Sequence, residues 1–224
     1  MRCASLLTLA AASILAIQPL AAQADLPREH GIDVSHYSGE IDWERVSAAG
    51  YSFVYVKATE GVDSADPLFL EHWQTLGELG IPRGAYHFYV TEDDPKEQAR
   101  FFLGHVEHRP GDLPPVVDVE VLGHGTKPGL PGRLRRFLEL VELELGVTPI
   151  IYTSPSFWNA HLDPSFGCYP LWLAEYGTSE PQLPHGWTSW LMWQFEADAE
   201  VPGIEKGADL STLHPDADLL ALAF

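Results

Sequence analysis

From Gly31 onward, short runs of β-branched and aromatic residues alternate with amphipathic stretches, and this alternation constrains the fold more than any other feature. "GIDVS" (31–35) reads as a strand, and "IDWERVSAAG" places Trp43, Val46 and Ala49 on a short helix closed by Gly50. "YSFVYVKA" (51–58) is a second strand, rich in the residue types that pack on a pleated surface. Asp66 and Pro67 then take N-cap and N1 positions before a helix carrying Phe69, Trp73 and Leu76, stopped by Gly80. "RGAYHFY" is a third strand. Asp94, Pro95 and Glu97 open the next helix, whose Ala99, Phe102, Leu103 and Val106 share one face. "PPVVDVE" (114–120) is a fourth strand, and the helix after it carries the stripe Leu134, Phe137, Leu138, Val141 and Leu145. "TPIIYTS", "YPLWLAEY", "SWLMWQF" and "GADLS" supply the remaining strand-like runs.

Strands alternating with helices argue for a parallel sheet. About eight strands in a chain this short predict an α/β fold, a single-domain, short and irregular (β/α) TIM-like barrel. The last connections are short and rich in Pro and Gly, with little room for full helices. A doubly wound sheet is the competing architecture, but "DVSHYSGEIDW" after the first strand holds no G-x-G-x-x-G phosphate loop.

The first 24 residues are a different material. One early Arg, an apolar run from about Leu6 to Ile17 and the Ala22-Gln23-Ala24 motif predict a secretory signal peptide cut before Asp25. A membrane anchor needs about 20 apolar residues and a basic flank, which this run lacks. The expectation is a catalytic domain over 25–224, exported to the periplasm or the exterior, monomeric and without a membrane anchor. Removal of Cys3 leaves Cys168 alone, so no intrachain disulfide is expected, and a buried, inert thiol is. The formal net charge of −19 opposes binding to nucleic acid or anionic membrane surfaces.

Barrel enzymes carry their chemistry at the C-terminal strand ends. Those ends carry Asp33 and Ser35, Lys57 and Glu60, His87 and Tyr89, Asp118 and Glu120, Tyr152, Glu175 and Tyr176, Gln194, and Asp209. Taken singly, each has a plain structural explanation: Lys57 with Glu60 as an ion pair, His87 as a satisfied core histidine. Their convergence on one rim is harder to set aside. Asp118 and Glu120 stand at i and i+2, so both side chains leave one strand face and repel. Carboxylates beside Trp172, Trp190 and Trp193 suit glycoside hydrolysis, which needs an acid for the leaving oxygen and a second group at the anomeric carbon. No G-x-S-x-G or H-E-x-x-H motif is present. His105 and His108 have no nearby Cys or third His to complete a metal site and read as surface residues.

In the order "GIDVSHYSGEIDW", "YVKATEG", "GAYHFY", "VVDVE", "IYTS", "LWLAEYG" and "WQF", the chain resembles the family 25 glycoside hydrolases, the Chalaropsis-type lysozymes, over almost its whole mature length. The resemblance implies hydrolysis of the β-1,4 bond between N-acetylmuramic acid and N-acetylglucosamine in peptidoglycan glycan strands, without metal or cofactor. It implies Glu120 as general acid and Asp118 as its partner, orienting or assisting the substrate N-acetyl group. Asp33 and Asp209 match further groove acids, and Tyr89, Trp172, Tyr176 and Gln194 fall at or near groove positions. Repulsion within the pair is expected to keep Glu120 neutral, while Asp118, deeper and hydrogen-bonded, stays ionised. One departure is Ser211, where the family has an Asn two residues after the last Asp. Two other readings stand beside this one. One is a chitinase-like hydrolase, whose fuller D-x-x-D-x-D-x-E pattern is absent; the other is a non-catalytic glycan-binding protein on the same fold.

Overall fold

The computed structural model describes residues 30–123, 128–218 and 221; the expected signal segment lies outside them. The chain runs β1 (His30–Val34), α1 (Trp43–Ala48), β2 (Phe53–Glu60), β3 (Ser64–Ala65), α2 (Phe69–Leu79), β4 (Arg83–Phe88), α3 (Pro95–His105) and β5 (Val116–Asp118). It continues through α4 (Leu130–Leu145), β6 (Ile150–Thr153), α5 (Pro155–His161), β7 (Leu171–Ala174), β8 (Met192–Ala199) and β9 (Ala208–Leu213). The wall closes because β1 pairs with both β2 and β9, while β3 only extends the end of β2. The result is the expected single-domain β/α barrel, with a mixed sheet in place of a wholly parallel one.

From β1 round to β8 the neighbours are parallel, but β9 runs antiparallel to both β8 and β1. The reason is connection length. A parallel crossover needs a dozen or more residues, and the stretch 200–207 between β8 and β9 is too short for one. Two helix starts also differ from expectation. α2 begins at Phe69, because Asp66 turns its carboxylate onto the backbone N–H groups of His36 and Leu68 instead of capping the helix. α5 was not expected, although Ser154 caps it by accepting from Phe157 N–H and Pro155 stands in its first turn.

Alternation along the strands makes two cores. Val54, Val56, Ala85, Val117, Ile151 and Leu173 face outward into the layer under the helices, with Leu76, Phe102, Leu134, Phe137 and Trp158. Phe53, Tyr55, Val116, Ile150, Tyr152, Trp172 and Met192 face inward and fill the barrel floor. Gly31 and Gly84 make that filling fit, since a Cβ at either would lie 2.2 Å and 2.1 Å from the rings of Phe53 and Tyr55. The floor is therefore packed, and only the C-terminal end of the parallel strands is left open.

Candidate active site

Strand pairing continues one residue past β5. Val119 N–H donates to the Tyr152 carbonyl at 2.9 Å, and the Val119 carbonyl accepts the Thr153 hydroxyl at 2.7 Å. The backbone thus stays tethered through the D-x-E stretch, and Asp118 and Glu120 both reach a cavity of about 230 Å³ at the C-terminal rim. Asp33 from β1, Lys57 from β2 and Asp209 from β9 line the same cavity, with Trp172 among its walls. Four carboxylates therefore face one small volume beside a single lysine. Lys57 is the expected ion pair, its Nζ 2.6 Å from Glu60 Oε2.

Behind the acids, Gln194 is a fully buried hub. Its Oε1 accepts the hydroxyls of Tyr152 (2.8 Å) and Tyr176, and its amide donates to Asp33 Oδ2 at 2.7 Å and to Asp209 Oδ2 at 3.4 Å. Gln194 thus positions carboxylates and does not line the cavity itself. Asp209 takes a further hydrogen bond, 2.9 Å, from the backbone N–H of Asp198. Asp198 occupies a bulge in β8 and, among the described residues, is the non-glycine residue with positive φ, +53°. That conformation turns its amide onto Asp209.

The electrostatics follow from burial. Asp118 is 7 % exposed, and its Oδ1 has no hydrogen-bond partner among the described residues. Loss of hydration, then the charges of Glu120 and Asp33, push its pKa well above 3.8, against the pull of Lys57. Burial and then Asp209 raise Glu120 above its ordinary value, again opposed by Lys57. Burial and Asp209 raise Asp33, and burial raises Asp209. The expectation of a hydrogen-bonded Asp118 is therefore corrected, while the raised Glu120 runs in the expected direction. Asp118 is the deeper of the two, but no donor among the described residues answers its Oδ1, and burial pushes all four carboxyls upward.

Other expected site residues separate. Tyr89 is fully buried outside the barrel wall, its ring edge-on to Phe137 of α4 at 5.6 Å, so it does not reach the groove. The physical reason is parity: on β4, Tyr86 and Phe88 line the cavity, while His87 and Tyr89 face the helices. Trp172 lines the cavity as part of its floor, with Nε1 donating to Ser211 Oγ at 3.0 Å. Ser211, the departure from the family pattern, thus anchors that ring. Tyr176 stands half-exposed at the edge, tied to Gln194. Ser35, expected at the rim, lines the cavity too, and Tyr37 and Tyr86 do so without having been singled out; the alternation along β4 was the signal for Tyr86.

Three smaller expectations also resolve. Cys168 is exposed, not buried, because it falls in the turn after Phe166 that leads into β7. His108 is not a surface residue: it packs against Trp73 and Phe102, and burial lowers its pKa to about 4. His87 is the satisfied core histidine, 2.8 Å from Thr59 Oγ1 and 3.0 Å from Gln98 Oε1. Among the described residues, no group of three or more His, Cys, Asp or Glu side chains is arranged to hold a metal ion, and no helix is long and apolar enough to cross a membrane.

A closed barrel whose open rim concentrates proton-holding carboxylates defines an acid–base hydrolase by its site, not by its fold alone. Comparison with known proteins makes the class specific: the chain belongs to glycosyl hydrolases family 25, whose family pattern matches residues 32–204, and it is a glycoside hydrolase of the lysozyme type. It is 35% identical to lysozyme M1 of Streptomyces globisporus over 214 residues, covering 89% of this chain and 73% of that one. It is 30% identical to the N,O-diacetylmuramidase of Chalaropsis sp, covering 77% and 90% of the two chains. Among solved structures, the bacterial lysozyme from Streptomyces coelicolor superposes with a TM-score of 0.83 at 32% identity, over 89% of this chain and 98% of that one.

Proposed function

We propose that this chain hydrolyses the β-1,4 bond between N-acetylmuramic acid and N-acetylglucosamine in peptidoglycan, with Glu120 as general acid. The observation that carries the reading is the cavity itself, where Asp118 and Glu120 stand side by side with raised pKa values. Glu120 is the less buried of the two, which suits delivery of a proton to the leaving glycosidic oxygen. Such donation contributes roughly 10²–10⁴ in rate. The unpartnered Oδ1 of Asp118 is a buried acceptor that an incoming donor fills, and the N-acetyl N–H of the sugar is a donor of the right kind. With that donor in place and Lys57 opposing its raised pKa, Asp118 gives up its proton, orients the acetamido group for attack on the anomeric carbon, and as a carboxylate stabilises the positive charge that develops there.

No chemistry in this scheme calls on a metal or a cofactor. The partner is the glycan strand of peptidoglycan, engaged by a monomer. The composition of residues 1–24 supports export to the periplasm or the exterior.

The test is digestion of purified peptidoglycan by the chain and by Glu120→Gln, with borohydride reduction and mass spectrometry of the released fragments. Fragments ending in reduced muramic acid from the parent alone are expected. Fragments ending in reduced N-acetylglucosamine would contradict the bond assignment. No release from either protein, with both still sedimenting on the polymer, would leave a glycan-binding protein.

A further inference from the structure

The cavity at the carboxylates opens sideways. It shares Asp33, Ser35, Tyr37, Tyr86 and Asp209 with a second recess of about 150 Å³. That recess joins, through Asp198, Lys206 and Gly207, a trough of about 890 Å³. The trough lies between the segment 40–45 after β1 and the segment 198–207 between β8 and β9. These two segments are laced together. Asp42 N–H donates to Gly203 O at 2.7 Å, Glu205 N–H to Glu40 O at 3.1 Å, Lys206 N–H to Ser38 O at 3.1 Å, and Ile41 bridges to Ile204. The walls are thus preformed, which lowers the cost of binding.

Its chemistry is mixed. Val201 and Ile204 are buried beneath it, while Glu40, Asp42, Glu200 and Glu205 stand exposed along its sides. Two cations, Arg45 and Lys206, line it as well, and neither side chain is held in an ion pair among the described residues. Lys206 sits at the neck where the trough meets the recess beside the acids. In volume the trough matches sites for ligands larger than one sugar ring.

We propose that this trough binds the peptide borne by the muramic acid residue, so that peptide-substituted glycan is the preferred substrate. This rests on the muramidase reading above. The lactyl-linked peptide of peptidoglycan carries carboxylates and, on its diamino acid, an ammonium group. Lys206 at the neck takes a peptide carboxylate, and the acidic sides farther along take the ammonium. A chain of net charge −19 gains nothing from long-range attraction to such a peptide, so local pairing with Lys206 and Arg45 must supply the contact.

The experiment compares kcat/KM on soluble glycan that keeps its peptides with kcat/KM on the same glycan stripped by an amidase. The parent is expected to favour the peptide-bearing form about tenfold, the worth of one charge-assisted hydrogen bond. Lys206→Ala with Arg45→Ala lowers that ratio toward one, Lys206→Glu lowers it further, and Lys206→Arg keeps most of it. Equal rates on both substrates, or variants that leave the ratio unchanged, would overturn the proposal. Chemical-shift mapping of full-length Glu120→Gln with a muramyl tripeptide gives a readout independent of turnover. Perturbation at Ile41, Val201, Gly203 and Lys206 supports the trough, and perturbation confined to the carboxylate cavity sinks it. Those trough shifts, together with no hydrolysis of either substrate by the parent, would remove the muramidase reading and leave the peptide site.

Discussion

Two buried titratable groups, one on each face of the barrel wall, are held in opposite ways. On the outer face, His87 is fully enclosed between Thr59 and Gln98. Gln98 gives its amide N–H to Val90 O at 2.9 Å, so its Oε1 accepts from His87 Nε2–H, and His87 Nδ1 accepts the Thr59 hydroxyl. Nothing there is left over. On the inner face, Asp118 is almost as enclosed, yet its Oδ1 has no partner among the described residues and three further carboxylates share its cavity. A satisfied network stabilises a fold; an unsatisfied one costs stability and persists where a substrate completes it. What sets Asp118 apart is that its unpartnered oxygen faces a cavity shared with three other carboxylates, whereas the unpartnered Tyr89 hydroxyl on the outer face lines no such cavity.

The largest effect expected from breaking the contrast is on the inner face. Glu120→Gln should lower turnover by roughly 10²–10⁴, and Asp118→Asn should lower it comparably, with both variants folded by circular dichroism. The outer face should respond in stability instead. His87→Ala leaves a cavity and strands the Thr59 hydroxyl, while Gln98 Oε1 keeps the Val90 N–H, and should cost about 3 kcal/mol in denaturant melts, with residual turnover tracking the folded fraction.

Proton linkage sharpens the comparison because the signs are opposite. Burial lowers the His87 pKa from 6.5 to about 4. Its contribution is present above pH 6.5 and is lost as pH falls from there through about 4. Asp118 is raised above 3.8, so its contribution is present below that value and is lost as pH rises through its folded pKa. Melts of Asp118→Asn across pH 4 to 8 should show a smaller decline toward the alkaline side than the parent. A parallel offset at every pH would contradict the raised pKa. The smallest effect concerns the β8 bulge. Asp198→Gly relieves the left-handed backbone while keeping the amide that serves Asp209, and should add up to about 1 kcal/mol of stability; a loss in the same melts would mean that the Asp198 side chain is needed there.

Legibility in the sequence followed the range of the interactions. The strand and helix alternation is local, so the barrel was readable from it, and the i, i+2 spacing put Asp118 and Glu120 on one face. Tyr89 was misplaced because a motif ending in Tyr was weighed above the strand parity that Tyr86 and Phe88 obey. The Gln194 hub was not readable as a hub, since its partner Asp33 lies 161 residues away and meets it only when the barrel closes. Nor did any local signal set the direction of β9 apart from the short 200–207 connection. The unpartnered state of Asp118 is likewise tertiary: it depends on which donors the other strands fail to supply.

The central claim is that the inner carboxylates hold protons that isolated carboxyls would have lost. A carbon-13 titration of the side-chain carboxyl signals, assigned through Asp118→Asn and Glu120→Gln, measures this directly. The account predicts midpoints for Asp118 and Glu120 above their ordinary values of 3.8 and 4.5, with the Asp118 midpoint falling when Glu120 is neutralised. Both groups titrating independently, at or below those ordinary values, would contradict it.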